Sequence, residues 1–166
     1  MKYRYGIIIY AVAILLQGSI LNNITILGAA PNLLLCLTIV TAFLYENGFA
    51  GIVLGAASGL LYDICFTQYA GVTSLAMFVV GILVMLSAEL MNKEKLSAVI
   101  IVTVIGTFLY DLLYWCIRAL LGSPYSFMYM LKLQPQYICY NIPIAIILYF
   151  IVIGKVIKYR QDRFYR

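Results

Sequence analysis

The chain of 166 residues contains no histidine, so it is without the commonest general base and the commonest metal-binding side chain. Its four cysteines, Cys36, Cys65, Cys116 and Cys139, form no Cys-x-x-Cys pair, which argues against a metal or redox motif and leaves them as small apolar packing residues. Charge is scarce as well: 10% of residues are Asp, Glu, Lys or Arg, where about 25% is usual in soluble domains. Residues 5–45, 64–88 and 133–154 carry none at all. These shortages exclude an ordinary soluble fold, a disordered segment and a nucleic-acid module, and no nucleic-acid partner is expected despite the net charge of +5. No cofactor is expected either, because no nucleophile, phosphate loop or metal cluster accompanies the few acids.

What the chain does have is apolar length. Hydrophobic residues make up 65% of it, and a helix crosses a bilayer core with about 20 of them. Hydropathy places six spans at about 6–22, 31–45, 48–65, 71–90, 97–121 and 137–157, predicting an all-α, multi-pass membrane protein in one domain. Helices are expected over strands because backbone groups in lipid are satisfied within a helix, and the apolar/polar alternation of a membrane barrel is absent. Spans two and three should form a tight hairpin joined at Glu46-Asn47-Gly48.

Orientation follows from the basic residues. With the amino terminus inside, Lys2, Arg4, Lys93, Lys95, Lys155, Lys158, Arg160, Arg163 and Arg166 fall on the cytoplasmic side, and only Arg118 and Lys132 fall outside. Both termini are then cytoplasmic, and the tail after Gly154 is placed to meet anionic lipid headgroups. Lys2 and Arg4 ahead of an apolar stretch also suit a signal peptide. The only Ala-x-Ala pattern, Ala11-Val12-Ala13, lies inside that stretch, so an uncleaved first span is expected. Gly122 to Gln136, bounded by Pro124 and Pro135 and rich in Tyr and Met, reads as a short helix or loop on the outer surface.

Within the third span, Gly48, Gly51, Gly55, Gly59 and then Asp63 lie along one helical face. Small residues let helices in lipid approach closely, so this groove suits either another span of the same chain or a partner's single span. Asp63 lies near the outer end of its span. Asp111 is deeper, about 21 Å along its helix from Ser97, at a depth where acids usually pair or face the bundle interior. Arg118 shares its face from two turns away, too far for ready pairing. Gln17 and Asn32 are further polar residues within or beside spans. Pro31 is placed to open the second span, and Pro143 to bend the last one, with Asn141 available to the backbone groups it frees.

The run Pro31-Asn32-Leu33-Leu34-Leu35, followed by Gly48, Gly51, Gly55, Gly59-Leu60-Leu61 and Asp63 and then Gly71 and Gly81, resembles the bacterial rod shape-determining MreD family. The Leu16-Gln17 and Leu21-Asn22 region resembles that family's start. Asn32 stands where the family often has aspartate, and Ala56 where an aromatic residue is common. The resemblance implies a non-enzymatic, multi-pass protein of the bacterial cytoplasmic membrane, part of the machinery that elongates the lateral cell wall. It implies work with MreC, a single-span protein, and through it with the MreB filament and the peptidoglycan glycosyltransferase and transpeptidase. The glycine groove then becomes a candidate seat for the partner's span, and Gly122 to Gln136 a candidate outer contact. The alternative is the substrate-binding component of an energy-coupling-factor vitamin transporter, similar in length, span number and fold. That family docks through Ala-x-x-x-Ala in its first span, whereas here Leu15 follows Ala11 and Gln17 follows Ala13.

Overall fold

The computed structural model describes residues 3–21, 28–45, 48–93, 95–124 and 126–164, with side chains from Gly6 to Gly154 apart from that of Ile20. The Glu46-Asn47 turn, Lys2, Glu94 and Arg166 lie outside the described residues, as do the side chains of Arg4 and the basic tail. Six α-helices run in order: α1 (Tyr3–Leu16), prolonged by a π-helical turn over Gln17–Leu21, then α2 (Leu33–Leu44), α3 (Gly48–Phe66), α4 (Val72–Ser87), α5 (Leu96–Leu120) and α6 (Phe127–Phe164). Each follows an apolar stretch, and neighbours in sequence pack antiparallel.

The shortest helix occupies the centre. Every residue of α2 from Leu34 to Leu44 is buried, and each of the other five helices packs on it. Enclosure by protein frees α2 from the length a lipid-facing span needs, which is why 12 residues suffice. The bundle is apolar outside too: Ile7, Leu15, Ile64, Leu75, Ile105 and Phe150 are all exposed. Gly48–Phe66, Leu96–Leu120 and Phe127–Gly154 are long and apolar enough to cross a membrane, and the other three apolar helices are shorter. Hydroxyls in the interior turn back on their own helices: Thr38 donates to the Leu34 carbonyl at 2.8 Å, Thr41 to Leu37 at 2.7 Å and Thr103 to Val99 at 2.8 Å. Polar atoms are thereby buried without being left unpaired.

The turns are set by specific residues. Gly122, at φ 78°, ends α5: its N–H reaches the Ala119 carbonyl and the Ser123 N–H reaches Arg118, a left-handed cap that closes the last turn. Gly71, at φ 93°, opens α4. The buried Asp63 carboxylate caps that helix from a distance, its Oδ2 accepting the Thr73 N–H at 2.8 Å. Thr67 donates to the Asp63 carbonyl at 3.0 Å and fastens the same corner. A carboxylate at a helix amino terminus satisfies an orphan donor and complements the helix dipole. Asp63→Ala should therefore lower stability by about 1–2 kcal/mol, with Asp63→Asn retaining most of it through the same acceptor. Thermal unfolding in detergent reads the difference, and equal losses in both variants would count against the cap.

Three expectations from the sequence are corrected. The segment Gly122 to Gln136 is not a separate short helix or loop, because from Phe127 it belongs to α6, which runs through both Pro135 and Pro143, with Met130, Leu133 and Gln134 buried. Phe127, Met128 and Tyr129 stay exposed, while Met130 and Leu133 turn into the bundle and Gln134 finds a partner there. Pro31 does not open α2; Asn32 is the N-cap, its Oδ1 accepting the Leu35 N–H at 3.0 Å. Asn141 does not serve groups freed by Pro143, since its side chain crosses to other helices, accepting the Asn32 N–H and donating to the Thr107 hydroxyl oxygen. Among the cysteines, Cys36 is buried while Cys65 and Cys139 are exposed on the apolar exterior.

Candidate functional site: a polar cavity over the start of α2

A helix that begins inside a bundle presents N–H groups with no intrahelical partner, and leaving them bare is costly. Three side chains, those of Gln17, Asn141 and the N-cap Asn32, supply the acceptors. Gln17, in the π-turn after α1, accepts the Leu33 N–H through Oε1 at 2.8 Å and donates through Nε2 to the Pro31 carbonyl at 2.9 Å. Asn141 of α6 accepts the Asn32 N–H at 2.9 Å and donates to Thr107 of α5 at 3.1 Å. The Cys36 thiol donates to the Asn141 carbonyl at 3.5 Å. The amino terminus of α2 is thus fixed by side-chain hydrogen bonds to the π-turn after α1 and to α6, and through Asn141 to α5.

Because α2 stops here while α5 and α6 continue, a cavity of about 200 Å³ opens over its first turn. Gln17, Asn32 and Asn141 line it near α2, and Tyr62, Tyr110, Tyr114 and Tyr137 supply aromatic walls. Asp111 brings a carboxylate to the lining. Its Oδ2 accepts Gln134 Nε2 of α6 at 2.8 Å, so the acid pairs with an amide across the α5–α6 hairpin. Arg118, two turns on, is engaged elsewhere: its guanidinium lies over the rings of Tyr69 at 5.2 Å and Tyr114 at 5.7 Å and donates to Ser123 Oγ at 3.1 Å.

The structure therefore gathers Gln17, Asn32 and Asp111 into one place and keeps the other sequence-selected residues apart from it. Pro31 contributes a carbonyl to Gln17, and Pro143 lies exposed on α6. All four glycines of α3 face helices of the same chain. A Cβ at Gly48 would meet the Ala42 carbonyl, one at Gly51 or Gly55 the Thr41 or Thr38 side chain, and one at Gly59 Ser74 and Met77 of α4. On the same face Tyr10 of α1 donates to the Gly51 carbonyl at 3.1 Å and bonds the Thr41 hydroxyl at 3.0 Å. Tyr10, Thr107 and Gln134 escaped the sequence reading. A signal for Tyr10 existed: Gly6, Tyr10, Ala13 and Gln17 recur at spacings of four, three and four and form the buried face of α1.

The family model for the rod shape-determining protein MreD matches residues 2–158, nearly the whole chain. The chain belongs to the MreD family. Its role is therefore in rod shape determination, and an MreD-family membrane protein fits a helical bundle that is apolar on its outside. The match reaches into α6, so the cavity and the glycine-faced α2–α3 contact both lie within the family's span. No match was found among curated proteins or among solved structures.

Proposed function

We propose that this MreD-family chain is a non-catalytic, six-span scaffold of the bacterial cytoplasmic membrane that binds an MreC-type single-span protein and through it serves lateral peptidoglycan synthesis. The observation that carries the reading is the family match over nearly the full length, joined to an exterior that is apolar around the bundle. MreB and the glycosyltransferase and transpeptidase are reached indirectly, through that partner. Nine of the eleven basic residues fall on one side when both termini are cytoplasmic, which supports that orientation and sets the basic tail against anionic lipid. The cavity then opens toward the outer face. Since α2 and α4 fill the glycine face, the partner's span has the lipid-facing surface of the bundle to dock on.

Depletion in the host should turn rods into rounded cells as lateral growth proceeds, restored by expression of the intact chain. Rods of unchanged width after depletion would refute the reading. The polar cavity is the one observation that favours the transporter alternative, in which uptake of a labelled vitamin would depend on this chain together with a coupling module.

A further inference from the structure

We propose that the cavity over α2 binds a small ligand bearing an ammonium group, held by Asp111 within the tyrosine walls. This goes beyond the scaffold reading and does not depend on transport. A helix amino terminus in a pocket first suggests an anion, but at this one most of the donors are occupied. Asn32 N–H, Leu33 N–H and Leu35 N–H are bonded by Asn141, Gln17 and Asn32 side chains, and the Cys36 N–H by the Asn32 carbonyl. What remains uncommitted around Asp111 is acceptor capacity. Its Oδ2 takes the Gln134 amide, while Oδ1 has no partner among the described residues. Gln134, 6% exposed, has its Oε1 buried and without a partner. A carboxylate on the cavity lining with an oxygen to spare calls for a donor of positive charge.

The walls agree with the acid. Four tyrosines bring aromatic rings to the same lining, and aromatic rings beside a carboxylate are the surroundings that hold ammonium groups. A divalent metal ion fits poorly, because among the described residues no three acidic, cysteine or histidine side chains converge and calcium takes six to eight oxygen ligands. The volume, about 200 Å³, admits a headgroup or a small amine rather than a large cofactor. Asn32 Nδ2, on the same lining, is a donor suited to a hydroxyl or phosphoryl oxygen attached to the amine. Ethanolamine has this chemistry, whether free or as the headgroup of phosphatidylethanolamine.

The test titrates the purified full chain in detergent with ethanolamine hydrochloride, with sodium chloride at matched ionic strength as control, and follows the thermal midpoint. In parallel, the chain is placed in nanodiscs of phosphatidylethanolamine mixed with phosphatidylglycerol, or of phosphatidylglycerol alone. A saturable rise of roughly 5 °C with ethanolamine, lost in Asp111→Asn, supports a free amine. No response to ethanolamine but an Asp111-dependent rise in the phosphatidylethanolamine discs supports the lipid headgroup. Asp111→Asn keeps an oxygen for Gln134. Should that variant not fold, Tyr137→Phe and Tyr137→Leu replace it: loss of the ring in the second should weaken half-saturation about tenfold, and the first should not. A rise matched by sodium chloride, a rise that survives Asp111→Asn, a half-saturation unchanged by Tyr137→Leu, or no rise in either setting overturns the proposal.

Discussion

Gly55→Leu should abolish a stably folded bundle. At this position even a Cβ meets the Thr38 hydroxyl and methyl on α2, and Thr38 cannot easily turn away because its hydroxyl is bonded to the Leu34 carbonyl. Overpacking in a well-filled core costs typically about 1–3 kcal/mol and sometimes more. Here the collision lies between α3 and the helix on which all the others rest, so a loss of at least about 3 kcal/mol is expected. The readout is the monodisperse elution peak in detergent and the thermal midpoint. Ala57→Leu, on the exposed face of the same helix, should leave both unchanged. If Gly55→Leu eluted and melted like the parent, the α2–α3 contact would not be as close as described.

Asn141→Leu should be nearly as damaging, for a different reason. The two side chains are similar in size, so the core is not emptied, but the Asn32 N–H and the Thr107 hydroxyl both lose their partner in a buried setting. Each unsatisfied group costs about 1–3 kcal/mol, giving an expected loss of about 2–5 kcal/mol in thermal unfolding. Thr107→Val in the Asn141→Leu background should recover part of that loss, because it removes one of the stranded groups. Purely additive losses in the double variant would show that the Thr107 bond carries no weight.

The helices were legible because apolar runs in this chain are long and charge-free, and α1 to α5 fall close to where hydropathy puts them. The start of α6 was not. Lys132, Gln134, Pro135 and Gln136 make that stretch look like a solvated connection, whereas the Gln134 amide is turned inward to Asp111 and its neighbour Leu133 is buried. Sequence polarity marks which groups need partners without saying whether water or protein supplies them. The glycine spacing on α3 had the same limit. It showed a face for close approach, but its occupants, Thr38 and Thr41, look like ordinary residues of an apolar run. Asp63 was legible as an acid near a helix end. Its partner, the Thr73 backbone ten residues on, emerges only once Gly71 has reversed the chain. Asp111 and Arg118 share a helical face by spacing, yet one turns to Gln134 and the other to tyrosine rings, because depth along the helix decides what each can reach.

The polar groups of the interior are largely used in holding helices together: Tyr10 ties α1 to α2 and α3, Gln17 and Asn141 seat α2, and Asp63 starts α4. Such an arrangement suits a rigid body whose outer surface other membrane proteins can use. The most direct measurement is recovery of the partner: the tagged chain, expressed at native level, is solubilised in mild detergent from its own membranes and purified. The scaffold account predicts that an MreC-type single-span protein elutes with it in about equal amount. Purification of the folded chain with no such protein, under conditions that leave other membrane complexes intact, would contradict the account.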